Sequence, residues 1–213
     1  MTVSADAQSA VFVIDDDAAI RDGLARLFRS VGLETKTFAS AAEFLQCKAP
    51  DVACCMVLDV RLPGFSGLEF QAILNRSGRR VPIVFMTGHA DVPMIVRAMK
   101  GGAVEFLAKP FREQDMLDAV QNALDLDRDL RKDSCNKAKL KASFESLTSR
   151  EQQILRFVTQ GLMNKQIASR LGLSEISVKV HRGNMMRKME AKSVAALVWM
   201  AAVLGVADAT SQI

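Results

Sequence analysis

No stretch of this chain is long and apolar enough to cross a membrane, so a helical span is excluded. The first ten residues lack a basic segment followed by an apolar one, so no secretion signal is expected there. Cysteine is scarce: Cys47, Cys54, Cys55 and Cys135 show no metal-ligand spacing, and the adjacent pair inside an apolar run reads as small fillers. Free thiols suit a reducing compartment, so a cytoplasmic location is expected. No internal repeat is present. One sign of charge does not dominate either, but the net +4 hides an asymmetry. Residues 1–125 carry thirteen Lys and Arg against sixteen Asp and Glu, net −3, whereas residues 147–213 carry nine against four, net +5. A basic small domain behind an acidic one suggests a polyanion partner for the tail.

What is present begins with acids placed after apolar runs. Val11-Phe12-Val13-Ile14 closes on Asp15-Asp16-Asp17, and Val52 to Leu58 closes on Asp59. Val81 to Met86 reads as a buried strand ending in Thr87-Gly88, and Ala103 to Leu107 as a shorter one followed by Lys109-Pro110. Helix-period segments lie between them: Ala18 to Val31, Ser40 to Gln46, Gly67 to Leu74, Asp91 to Lys100, and Glu113 onward. Strands alternating with helices imply a parallel, doubly covered sheet. The carboxyl ends of its strands form a binding crevice, and several acids there make a site for a hard cation and a phosphoryl group.

Asp15-Asp16, Asp59, Thr87 and Lys109-Pro110, with Arg61-Leu62-Pro63-Gly64 after the central acid, resemble the receiver domain of bacterial two-component response regulators. The resemblance covers roughly the first 120 residues, and its five parts in the right order are specific where each alone would be weak. It implies a flavodoxin-like sheet of five parallel strands in the order 2-1-3-4-5. It also implies that Asp59 takes a phosphoryl group from a histidine kinase as an aspartyl phosphate. Mg²⁺ would be held by Asp16, by Asp15 through water, by Asp59 and by the backbone carbonyl of Arg61. Lys109 would set an ammonium against a phosphate oxygen, its angle fixed by a cis bond to Pro110. Thr87 would donate its hydroxyl to the new phosphate, and Phe106 would rotate into the space that Thr87 leaves.

Each of these residues has a plainer reading. Phe106 fits a core aromatic that never rotates. Asp17 fits a cap for the helix starting at Ala18, Lys-Pro an ordinary turn, and Thr87-Gly88 ordinary loop chemistry. Position after a strand favours function. His89 reads as a loop residue without a role.

The basic tail is patterned as four short helices. Thr148-Ser149-Arg150-Glu151 is a capping box opening the first, which Gly161 stops. The second runs from Asn164 to Leu171 and breaks at Gly172. Ser174 caps the third, from Glu175 to about Met189, and Ser193 caps the last, from Val194 to Leu204. The junction at Gly172-Leu173 has the spacing of a helix-turn-helix, whose second helix enters the major groove. Leu147 to Glu151, Asn164 to Ala168 and Ser177 to His181 resemble the LuxR-type DNA-binding domain of NarL/FixJ response regulators, over about residues 144–205. With a receiver in front, the architecture resembles the FixJ-like branch.

At about 100° per residue, Val178, His181, Met185 and Met189 share one side of the third helix and should be core. His181 is read as structural rather than base-reading. Lys179, Val180, Gly183 and Arg187 fall opposite. Lys179 is the candidate for a guanine edge, Val180 for a thymine methyl and Asn184 for adenine, while Lys165, Arg182 and Arg187 would meet phosphates. Gly183 stands where some relatives carry a long DNA-contacting side chain, at a cost of about 1 kcal/mol in a helix interior.

The expected organisation is therefore an α/β flavodoxin-like, doubly wound parallel five-stranded receiver over 1–125, a charged linker over 126–143, and a small all-α four-helix helix-turn-helix domain over 144–213. The linker has no Gly or Pro and is read as a long helix in preference to a flexible tether. The expected function is that of a DNA-binding response regulator that dimerises on phosphorylation and controls transcription. Its partners would be a sensor histidine kinase, double-stranded promoter DNA, a second copy and, as the resemblance allows, RNA polymerase, with no membrane. No enzyme activity is expected beyond gaining and losing its own phosphoryl group. The rival is a Mg²⁺-dependent phosphohydrolase of the haloacid-dehalogenase type with Asp15 as nucleophile, though Ala18-Ala19 departs from that motif. A receiver that has ceased to respond to phosphate is a third reading, disfavoured by the intact acid, threonine and lysine set.

Overall fold

Runs in which every residue is apolar can be stable only if both faces of the strand are covered, and the central strands meet that condition. In the computed structural model, which describes residues 9–48 and 50–206, β1 (Ala10–Ile14) and β3 (Cys54–Asp59) are buried throughout. With β2 (Glu34–Phe38), β6 (Ile83–Thr87) and β7 (Glu105–Ala108) they form one parallel sheet, ordered β2-β1-β3-β6-β7. A separate two-residue hairpin, β4 (Arg61–Leu62) with β5 (Phe65–Ser66), follows the central strand. Setting that hairpin aside, the order is the 2-1-3-4-5 that the receiver resemblance implied.

Period-two alternation sorts the strand side chains into two cores. Phe12, Ile14, Met56, Leu58 and Phe85 face α2 (Ala41–Leu45), α3 (Gly67–Arg76) and α4 (Val92–Lys100), through Phe44, Phe70 and Ala98. Val11, Val13, Cys55, Val57, Val84 and Met86 face α1 (Ala18–Ser30) and α5 (Glu113–Glu145), through Phe28, Met116, Val120 and Leu124. The first core is aromatic: Phe44 sits edge-on to Phe12, Phe38 and Phe70, with ring centroids 5.2, 5.5 and 5.9 Å away.

β2 has no apolar run in sequence. Glu34-Thr35-Lys36-Thr37-Phe38 is a half-exposed edge strand paired to β1 alone, so only Phe38 is buried. The β4–β5 hairpin was not anticipated either; two-residue strands leave too short a pattern to read.

The chain divides into two compact units at Arg131/Lys132. Helix α5 is continuous over 33 residues and contributes to both. Its charged stretch is not uniformly solvated, because Asp127 is buried in the first unit. In the second unit, α6 (Ser149–Thr159), α7 (Asn164–Leu171), α8 (Glu175–Lys188) and α9 (Val194–Val203) enclose Leu147, Ile154, Leu155, Ile167, Val178, Met185 and Leu197. Thr148 and Glu151 form the expected capping box, and Gly172 takes the left-handed conformation (φ 63°) that ends α7. Among the described residues, no helix is long and apolar enough to cross a membrane.

Candidate functional site

The parallel sheet brings the ends of β1, β3, β6 and β7 to one edge, and the polar residues expected there meet. Asp15, Asp16 and Asp59 place carboxylate oxygens within 4.8 Å of one another. Lys109 reaches into the cluster from the loop after β7, its Nζ 2.7 Å from Asp15 Oδ2 and 3.0 Å from Asp59 Oδ2. The Lys109–Pro110 peptide is cis. Thr87, the last residue of β6, is buried, and its carbonyl accepts the backbone N–H of Lys109 at 2.8 Å. Among the described residues its hydroxyl has only long partners, the backbone of His89 at 3.4 Å.

Burial raises the Asp15 carboxyl above its ordinary range, against the pull of Lys109 and of the Asp17 N–H. Burial depresses Lys109, but its hydrogen bonds to Asp15 and Asp59 outweigh that and hold its ammonium above the ordinary lysine range. Two carboxylates thus share one ammonium, and Asp16 is exposed beside them. Hard oxygen donors in this density, open to water on one side, fit an octahedral divalent cation. Arg61 lies in β4, and its N–H donates to Asp59 Oδ1 at 3.1 Å. Phe106 is half-buried, its ring 6.2 Å from Phe85 across the β6–β7 pair.

Two residues that hold this site were missed in sequence. Arg21 donates to the carbonyls of Asp15 and Asp16 at 2.7 and 2.9 Å, fastening the acidic turn to α1. Gly67 opens α3 directly beneath the end of β3, where a Cβ would lie 2.4 Å from the Asp59 carbonyl oxygen. An arginine one turn into a helix gives no signal of its target, but a glycine directly after a capping serine does hint at close approach. Asp17 is the cap of α1, accepting the Ala19 N–H at 2.8 Å.

In the second unit α8 follows α7 through Gly172, as a helix-turn-helix requires. Val178, Met185 and Met189 are buried, and His181 is half-buried among them in phase. Lys179, Val180, Gly183 and Arg187 are exposed on the other side, and Lys165 is exposed on α7. Arg182 and Asn184 are half-buried; Arg182 donates to Asn164 Oδ1 at 2.9 Å, and Asn184 accepts from Arg187 at 3.1 Å. Ile176, on the same outward stripe, was overlooked.

Residues 11–121 match the family described as response regulator receiver domain, and residues 145–201 match bacterial regulatory proteins, luxR family. Nodulation protein W of Bradyrhizobium diazoefficiens is 54% identical over 202 residues, covering 95% of this chain and 89% of that protein. The transcriptional regulatory protein FixJ of Azorhizobium caulinodans is 43% identical, covering 93% of this chain and 94% of its own. The solved structure of the response regulator StyR is 49% identical with a TM-score of 0.83, covering 92% of this chain and 99% of that one. The phosphohydrolase reading finds no support: neither matched family is a phosphohydrolase, and Asp15 is wholly buried with both carboxylate oxygens engaged. A receiver implies a sensor kinase as partner, and a luxR-type domain implies DNA. Two matched domains in this order, and full-length relatives that share both, make this chain a member of the NarL/FixJ family: a DNA-binding transcriptional response regulator.

Proposed function

We propose that Asp59 is the phosphoacceptor. Its carboxylate attacks the phosphorus of a kinase phosphohistidine; the P–N bond breaks, a P–O bond forms, and the departing imidazole nitrogen keeps the electron pair and takes up a proton. The observation that carries the assignment is the shared contact of Lys109 with Asp15 and Asp59, which fixes a cation where the phosphoryl oxygens arrive. Asp16, Asp59, the Arg61 carbonyl and, through water, Asp15 would hold Mg²⁺, which would offset the negative charge of phosphate and carboxylates. Thr87, whose hydroxyl is held only by long contacts to the His89 backbone among the described residues, turns toward the phosphate, and Phe106 follows into the space it leaves.

The chemistry is confined to gaining and losing this group. The receiver spans 1–125, the linker 126–143 is helical, and the DNA-binding domain spans 144–213. Phosphorylation promotes a homodimer that binds promoter DNA in the cytoplasm and engages RNA polymerase. On α8, Lys179 reads guanine, Val180 a thymine methyl and Asn184 adenine, with Lys165, Arg182 and Arg187 at phosphates.

Incubation with acetyl phosphate and Mg²⁺, followed by peptide mass spectrometry, tests the assignment. The label is expected on Asp59, absent in Asp59→Asn, with a rise in molecular size and DNA affinity in the wild type only. A label on another side chain overturns it.

A further inference from the structure

We infer that Ile176 and Val180 form an apolar strip that reads the 5-methyl groups of two thymines in the major groove. This rests on α8 being the DNA-reading helix, and it extends the reading to a residue outside the set named above.

The burial of Val178 and Met185 fixes which side of α8 faces outward. On that side Ile176 is 77% exposed and Val180 58% exposed. At about 100° per residue, Ile176, Val180, Gly183 and Arg187 lie within one narrow stripe along the helix. The stripe is thus apolar for its first turns, bare at Gly183 and cationic at its end. The Cβ position of Gly183 has no atom within 4 Å, so the space at Gly183, one turn on from Val180, is open. Lys179, beside Val180 in sequence, and Arg187, further along α8, are exposed cations on the same helix, and α7 adds exposed Lys165. Exposed cations on the helices that carry an apolar strip are complementary to DNA, where phosphates border the groove floor.

The chemistry of the centre selects the base. Isoleucine and valine neither donate nor accept, so against adenine, cytosine or guanine they would bury unpaired polar edges. Thymine alone of the four bases presents a methyl group in the major groove. The two side chains are four residues apart, about 6 Å along the helix, which corresponds to about two base steps at 3.4 Å. The strip therefore specifies two thymines at that spacing, and Ile176 is a specificity determinant in its own right.

The test uses the full chain with Mg²⁺ and acetyl phosphate. Duplexes are selected from a random pool, and affinities are then measured on the enriched site with each thymine replaced in turn by deoxyuridine, which lacks only the methyl. Wild type is expected to lose about fourfold at each of two positions, the worth of one buried methyl-sized group. Ile176→Ala should lose sensitivity at one position and Val180→Ala at the other. Neither variant should change the salt dependence, because neither removes a phosphate contact. Deoxyuridine tolerated at every position, or sensitivity unchanged in Ile176→Ala, overturns the inference while leaving α8 as the reading helix. If the pool yields no enriched site although wild type retains DNA, the inference also fails. No retention of DNA at all overturns both.

Discussion

Asp127 Oδ2, on α5, accepts the backbone N–H of Cys54 at 2.9 Å across 73 residues of chain, and the same oxygen takes Arg131 Nε at 2.6 Å. The Cys54 N–H needs such a partner. Two residues on, the Met56 N–H bonds to the Pro82 carbonyl, and the β3–β6 register begins only at Met56 with Ile83. Cys54 therefore points its donor beyond the end of that ladder into the protein, and a buried donor without an acceptor is costly. Arg131 also donates to the Pro50 carbonyl at 3.3 Å. The outgoing helix is thus bolted to the start of the strand whose other end carries Asp59.

Asp127→Ala strands the Cys54 N–H and frees Arg131, and should destabilise the receiver unit by about 2 kcal/mol. Urea unfolding checks the magnitude, and hydrogen exchange at the Cys54 amide checks the cause. A loss below about 0.5 kcal/mol would show the contact to be ornamental.

Gly67→Ala pushes a methyl group against backbone, 2.4 Å from the Asp59 carbonyl and 3.1 Å from Val60 Cα, neither of which can swing away. Overpacking of this kind should cost about 2 kcal/mol or more. Displacement of Asp59 should slow phosphoryl acceptance by at least about tenfold. Gly23→Ala in α1 meets nothing within 4 Å and serves as the control, expected to gain up to about 1 kcal/mol.

Glu151, buried in the first turn of α6, accepts from Lys188 Nζ at 2.7 Å and from the Thr148 N–H at 2.8 Å. Burial pushes its carboxyl up, but Lys188 and Thr148 outweigh burial and hold it below the ordinary value of 4.5. The stabilisation is therefore complete above about pH 4.5 and is lost as pH falls through the lower folded value. Thermal unfolding of the second unit, followed at α6 and α8 by hydrogen exchange, should weaken over that acid range. Lys188→Met should remove much of this acid dependence and cost about 2 kcal/mol at neutral pH, moderated because Lys188 is 32% exposed. An unchanged acid profile in the variant would assign the effect elsewhere.

Thiol labelling should proceed in three classes. Cys135 is exposed, Cys47 half-buried, and Cys54 and Cys55 buried, with burial raising both thiols above their ordinary range. Mass spectrometry of the native protein should find Cys135 modified first, Cys47 more slowly, and the β3 pair only in denaturant. Early labelling of Cys55 would contradict a covered β3.

Asp59, Thr87 and Lys109 were legible because each follows an apolar run, and a buried parallel strand delivers whatever comes next to the crevice. The tail was legible because caps and glycine stops punctuate it: Thr148, Ser174 and Ser193 open helices and Gly172 closes one. Asp127 was not, since a carboxylate in a charged helical stretch looks solvated until the strand 73 residues earlier is laid beside it. Ile176 went unread although the 100° period already sets it beside Val180 and opposite Val178 and Met185; its 77% exposure is what draws attention to it.

Sequence alone determined the helices, the buried strands, their order and the chemical types at the crevice, because hydrophobic period and capping act within a few residues, whereas the edge strand β2 and the β4–β5 hairpin carry too little pattern to read. Tertiary structure alone decided that one ammonium serves both Asp15 and Asp59, that Gly67 must stay bare, and that Asp127 closes the β3 ladder. Those relationships join residues far apart in the chain, and distance between such residues is set by packing rather than by any local preference.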